Sequence, residues 1–345
     1  MKLDFEYCHK DIVGKILRKT SDLILIVFDR TSFLLQLLNG LHKIVEKEDK
    51  IDSRIKYIYY LLSRGNFKSN YISFLANNEI LKATQEKEKW ARFICSFSES
   101  EYEIKSAQDY LYLLDKYELV QESKASFNFN ILPGKQKMTD NSFYLFGPNA
   151  DHEPNQKYLD KTIVLSKDVN FDISRFNSSI MFLNWIYYQT KVRTDTQKRK
   201  MMLDKYGEVF VSSLYPIDDQ EIPLSEMPIS TTLGGAQGLG RALYHLVAKN
   251  DRCNCVIDGY DFWIKKETFS DYYPTLNRVE GKIIEKNIVN GLADHDAIYN
   301  FLFVKEMLNH IDVIDSAEFL DYVNLSVEEY IDRLIKQRNF KLLIN

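Results

Sequence analysis

Residues that break or turn a backbone are almost confined to one part of this 345-residue chain. All seven prolines lie at or beyond Pro133, and ten of the thirteen glycines follow Gly65. Proline disrupts helices and central strands, and glycine raises the entropy cost of ordering either, so a stretch poor in both favours long continuous elements. In the first 130 residues, Ser32 to Lys47, Ser53 to Leu62 and Ala107 to Leu119 carry apolar side chains at helical spacing. Leu23 to Phe28 is too short to span a bilayer and reads as a buried strand or a piece of helix. Residues 122–141 are polar and contain Pro133-Gly134, a sensible boundary. The expected division is a mainly helical N-terminal region, 1–130, to which the sequence assigns no role, and a second domain over 141–345.

Beyond the boundary the pattern changes. Ser142 to Phe146, Thr162 to Leu165, Ser179 to Leu183, Glu208 to Val211 and Cys255 to Ile257 are short apolar runs bounded by Gly, Pro, Asn, Asp or Ser. Such runs, separated by helical stretches, predict an α/β fold with a mostly parallel sheet flanked by helices and buried on both faces. Ligands of such sheets bind at the carboxyl ends of the strands. Those ends are Gly147-Pro148-Asn149, Ser166-Lys167-Asp168, Asn184-Trp185, Ser212-Ser213 and Gly259-Tyr260-Asp261. Ser326 with Glu329 three residues on is a capping-box pattern, which predicts a closing helix over Ser326 to Lys336.

Hydrophobic residues at 45% and charged residues at 27% fit a folded protein, and a net charge of −4 gives no global electrostatic case for nucleic acid. The basic cluster Lys191, Arg193 and Lys198-Arg199-Lys200 reads as a solvated loop or helix face, with a membrane or polyanion contact as the alternative. The four cysteines (Cys8, Cys95, Cys253, Cys255) lack the spacing of a zinc site or of a disulfide framework, so reduced thiols and a cytoplasmic location are expected. The N-terminus shows no signal-peptide pattern. Peripheral contact with an inner membrane surface and a homo-oligomer both stay open.

Several constellations carry chemistry. Gly147-Pro148-Asn149 follows a strand, where a turn can cradle a phosphate or a ribose. Four glycines within Gly234 to Gly240 run into a helix predicted from Arg241 to Lys249, with Thr231, Thr232 and Gln237 as side-chain donors. Asn184 has an amide suited to a base or ribose, or to capping its own turn. His295-Asp296 stands where a loop gives way to a helix predicted over Ala297 to Leu308, and a neutral imidazole there could take a proton from a hydroxyl. Asp218-Asp219 invites a divalent cation, although its surroundings read as an exposed loop.

In order, these residues resemble the bacterial sialyltransferases of glycosyltransferase family 42, which act in capsule and lipooligosaccharide biosynthesis. The resemblance rests on Gly147-Pro148-Asn149, Gln237-Gly238, Gly259-Tyr260-Asp261-Phe262-Trp263 and His295, and covers about residues 141–315. It implies a Rossmann-like domain of a GT-A-like variant. It also implies a CMP-sugar donor, a glycan acceptor and inverting transfer that needs neither cofactor nor metal. In that scheme His295 is the general base. Gly147, Pro148, Asn149, Asn184, Gln237, Gly238, Gly259 and Asp261 line the donor site. The family's two phosphate-contacting tyrosines fall on Trp263 and Phe269 by spacing, which leaves Tyr272 or Tyr273 to meet the phosphate. Two alternatives stand beside it. One is a metal-dependent enzyme using a UDP- or GDP-sugar at Asp218 and Asp219. The other is a non-catalytic nucleotide-binding subunit of a polysaccharide assembly complex.

Overall fold

A computed structural model describes residues 12–28, 32–47, 53–77, 79–98, 101–117, 142–147, 162–165, 179–184, 192–206, 208–212, 238–249, 253–264, 297–314 and 316–338. The chain divides into two compact units, Met1–Phe127 and Asn128–Asn345.

In the first unit, α1 (Ile12–Phe28), α2 (Ser32–Lys47), α3 (Ser53–Ala76), α4 (Ile80–Phe97) and α5 (Glu101–Lys116) follow one another. Leu23 to Phe28 belongs to α1, so this apolar run is helix rather than strand. The Ser53 segment continues well past Leu62, to Ala76. Helix α3 packs against α1, α2 and α4, and α4 packs on α5. A helix with neighbours on several sides cannot keep a single apolar stripe; accordingly Tyr57, Tyr60, Leu62, Phe67 and Tyr71 of α3 are all buried. Gly65 lies against α1, where a Cβ would strike the Leu25 side chain. The Trp90 ring lies parallel to Phe67 and Phe93, at 5.1 and 5.0 Å between centroids. Lys87 is buried, with its ammonium 4.7 Å from the Phe67 ring centre and 4.5 Å from that of Tyr71, a pair of cation–π contacts.

The second unit is α/β. Strands β1 (Ser142–Phe146), β2 (Thr162–Leu165), β3 (Ser179–Asn184), β4 (Glu208–Ser212), β5 (Cys253–Asp258) and β6 (Ile311–Val313) form one sheet in the order β4-β3-β2-β1-β5-β6. Every pairing is parallel. Parallel strands need covered faces, and α6 (Thr196–Lys205), α7 (Gly238–Lys249), α8 (Ala297–Met307), α9 (Ala317–Val323) and α10 (Val327–Arg338) supply helical cover. Helix α7 packs on β2 and β3 and against α8, which also meets α9. Helix α8 is predominantly apolar without a single apolar face, and it is buried almost throughout, as a helix enclosed by its neighbours must be.

The local chemistry accounts for the ends. Ser326 and Glu329 close a reciprocal capping box on α10: the Ser326 N–H donates to Glu329 Oε2 at 2.8 Å, and the Glu329 N–H to Ser326 Oγ at 3.1 Å. Asp195 caps α6 by accepting from the Lys198 N–H at 3.0 Å. Cys253 and Cys255 point to one face of β5 with their sulfurs 4.0 Å apart, and both are buried free thiols. No helix among the described residues is long and apolar enough to cross a membrane.

Candidate functional site

From β1 the chain steps outward through β2 and β3 to β4, while β5 and β6 lie on the other side of β1. Connections therefore leave the carboxyl ends of β1 and β5 in opposite directions. In open parallel sheets that reversal opens a crevice, and ligands bind there. The two strand ends that flank it are Phe146-Gly147 and Asp258-Gly259. Two helices aim at the same edge. Helix α7 ends at Lys249, just before β5 begins at Cys253, so its first residue, Gly238, lies toward the carboxyl edge. The same argument places the start of α8 there, because α8 ends at Met307 and β6 begins at Ile311.

Gly147 is required by the packing of the two strand ends. A Cβ at this position would lie 2.5 Å from the Gly259 carbonyl oxygen and 2.6 Å from that of Asp258. The Gly147 N–H donates to the Asp258 carbonyl at 2.8 Å, which extends the β1–β5 ladder one step beyond the strands. Gly259, at φ 66°, then turns the chain into a conformation that favours glycine.

The segment after Gly259 is a built turn. The Asp261 carbonyl accepts from the Ile264 N–H at 3.0 Å, and Asp261 Oδ1 accepts from the Trp263 N–H at 2.9 Å. Between them Phe262 and Trp263 have φ of 50° and 67°, the signature of a type I′ turn, whose central places normally go to Asn or Gly. Two aromatic residues in this region cost on the order of 1–3 kcal/mol each. Tertiary packing offsets the cost. Phe262 is 3% exposed, with the rings of Phe301, Phe319 and Tyr330 at 5.3, 5.9 and 6.0 Å, and the Tyr330 hydroxyl donates to its carbonyl at 3.2 Å. Asp261 is buried and one of its oxygens serves the turn, whereas Trp263 is left half-buried.

One polar pair ties β1 to β5 at this edge. In the parallel register Phe146 faces Asp258 and Tyr144 faces Val256, so Tyr144, Phe146 and Asp258 project from the same side of the sheet. The Tyr144 hydroxyl donates to Asp258 Oδ2 at 2.7 Å. Burial, and after it the hydrogen bond to the Asp258 carboxylate and that group's charge, push the Tyr144 phenol far above its ordinary pKa, so it stays a donor. Tyr260 is held neutral in the same way: burial comes first, then the neighbouring Tyr330 and Asp261.

The sheet thus brings Gly147, Gly259 and Asp261 to one edge, with Gly238 at the head of α7. Asn184 ends β3 opposite Ser212, at the same edge but two strands from β1, about 10 Å away. Pro148, Asn149, Gln237, Tyr272, Tyr273 and His295 lie outside the described residues, as do Asp218 and Asp219. Among the described residues, no three His, Cys, Asp or Glu side chains are grouped to hold a metal ion. Sequence reasoning overlooked Tyr144 and Asp258. Asp258 adjoins the glycine of the Gly259 motif, which was a usable signal, but its partner is 114 positions away. No family model, curated protein or solved structure matches this chain.

Proposed function

We propose that this protein is a glycosyltransferase that moves sialic acid or a related sugar from a CMP-sugar donor to a surface-glycan acceptor. One observation carries the proposal. The reversal of strand order falls between β1 and β5, at the edge where Gly147 and the Gly259 to Trp263 turn stand. The finer fold description, a Rossmann-like sheet of the GT-A-like variant beside a mainly helical N-terminal region, belongs to the same proposal.

In this scheme the donor lies across the crevice. The amino end of α7, opened by Gly238, favours the negative phosphate, because a helix start presents unpaired N–H groups and positive dipole potential. Pro148, Asn149, Asn184 and Gln237 line the nucleotide, and Tyr272 or Tyr273 meets the phosphate. His295 precedes α8 in the sequence and acts as general base. It takes the proton of the acceptor hydroxyl while that oxygen bonds to the anomeric carbon. The bond from that carbon to the phosphate oxygen breaks, and CMP leaves with the electron pair. The anomeric configuration inverts because attack and departure occur on opposite faces.

Two measurements on the full chain test this. Without added metal, CMP should raise the melting temperature where UMP, UDP and GDP do not, since a ligand at a hundred times its Kd stabilises by about 2.7 kcal/mol. A shift with UDP and manganese, and none with CMP, would overturn the donor assignment. His295→Ala should abolish transfer and keep CMP binding; full activity in that variant would remove the histidine from the mechanism.

A further inference from the structure

We propose that Asp258 is the residue that reads the sugar hydroxyls of the nucleotide, with Tyr144 as its positioning residue. The inference rests on the nucleotide-sugar reading above and names the part of the ligand that faces β5.

Asp258 ends β5 at the flank of the crevice, and it is held on two sides. Its carbonyl accepts from the Gly147 N–H at 2.8 Å, and its Oδ2 accepts from the Tyr144 hydroxyl at 2.7 Å. The side chain is partly exposed, and among the described residues Oδ1 has no hydrogen-bond partner and the carboxylate no cation. A carboxylate with one oxygen anchored and the other without a hydrogen-bond partner among the described residues is a preorganised acceptor. Nothing about the sheet itself needs this charge, because any residue could supply the carbonyl that Gly147 uses.

The charge decides which end of a nucleotide can lie here. An ionised carboxylate only accepts hydrogen bonds, so it repels a phosphate and suits a donor group. The hydroxyls of ribose are such donors, and hydrogen bonds to a charged group are stronger than neutral ones. The ligand is therefore polarised along the edge, with ribose at the β1–β5 seam and phosphate toward the helix start at Gly238.

The test is calorimetric titration of the full-length protein with CMP, 2′-deoxy-CMP and 3′-deoxy-CMP. The wild type should bind CMP about 10- to 100-fold more tightly than at least one deoxy analogue, the range expected for one charge-assisted hydrogen bond. Asp258→Asn should lose most of that discrimination while binding the deoxy analogue as well as the wild type or better, since a charge that repels the phosphate has gone. Tyr144→Phe should narrow the discrimination without removing it. A merely structural role would weaken all three ligands alike in both variants, and that result overturns the inference. So does a wild type that binds CMP and its deoxy analogues equally, a comparison that needs no variant to fold. Failure of the wild type to bind any of the three overturns the nucleotide-sugar reading itself, and this inference with it.

Discussion

At the scale of single residues, the carboxyl edge contains two non-glycine residues with the same unusual φ sign and different obligations. Phe262 is buried among Phe301, Phe319 and Tyr330, whereas Trp263 is half-buried. Glycine at either position relieves left-handed strain, but only one of the two replacements empties a core site. Phe262→Gly should therefore cost about 3–5 kcal/mol, less the roughly 1 kcal/mol recovered from the backbone. Trp263→Gly should cost at least about 2 kcal/mol less than that, and urea unfolding of the two variants would check the difference. Gly147→Ala makes a complementary case. Its Cβ would meet two carbonyl oxygens rather than a movable side chain, so destabilisation of about 1–3 kcal/mol is expected, a fall of several degrees in melting temperature. The Gly147-Pro148-Asn149 pattern was legible as a turn after a strand. That its glycine serves a neighbouring strand was not, because the contacting carbonyls lie more than a hundred positions along the chain.

Among the elements, legibility followed how far each one advertises itself locally. Strands β1 to β5 are apolar runs fenced by turn residues, and all five were foreseen to within one or two residues at either end. The three residues of β6 carry an Asp at their centre and are a strand only by virtue of pairing with β5. Helix α6 was also missed: its apolar residues, Met201, Met202 and Leu203, are consecutive and only Met202 is buried, so it lacks the apolar stripe that marks a helix by pattern. The capping box of α10 was read correctly because both partners sit within one turn. Ser326→Ala should cost about 1 kcal/mol of stability, measurable as a lowered unfolding midpoint. The Glu329 carboxyl is held below its ordinary pKa, first by the Ser326 backbone N–H and then by the Ser326 hydroxyl. A depressed carboxyl stabilises above its unfolded pKa, and the benefit fades as pH falls through the folded value. The penalty of Ser326→Ala should accordingly shrink in acid.

For the molecule as a whole, the chain divides into two compact units, and the core of the first contains a titrating group that works against its stability. Asp109 on α5 is buried, and burial, only partly countered by Lys105, lifts its pKa to about 7. Here the folded state binds its proton more tightly than the unfolded one. Stability is therefore unaffected below the unfolded pKa, falls as pH rises from about 4 to about 7, and stays lower above. Asp109→Asn should raise the melting temperature at pH 8, by the equivalent of about 1–4 kcal/mol, and change it little near pH 4. An equal effect at both pH values would show that the carboxyl does not titrate in this range.

The strand order has a consequence for how the protein is made. Strands β1 to β4 come from one continuous stretch, residues 142–212, and β5 with β6 from another, residues 253–313. Each stretch can pair within itself through comparatively short closures, but the β1–β5 pairing that joins them spans more than a hundred positions, 114 in the Tyr144 to Asp258 bond. Contacts of such long range are slow to form, because the intervening chain gives up its closure entropy before they are gained. The β1–β5 seam is thus expected to form late, and on a ribosome it cannot begin until β5 has emerged. The crevice exists only at that seam, so under the proposed function a chain that has not closed it has no donor site. Whatever ligand the crevice takes will recognise the finished sheet alone, and by doing so will hold the two halves of the chain together.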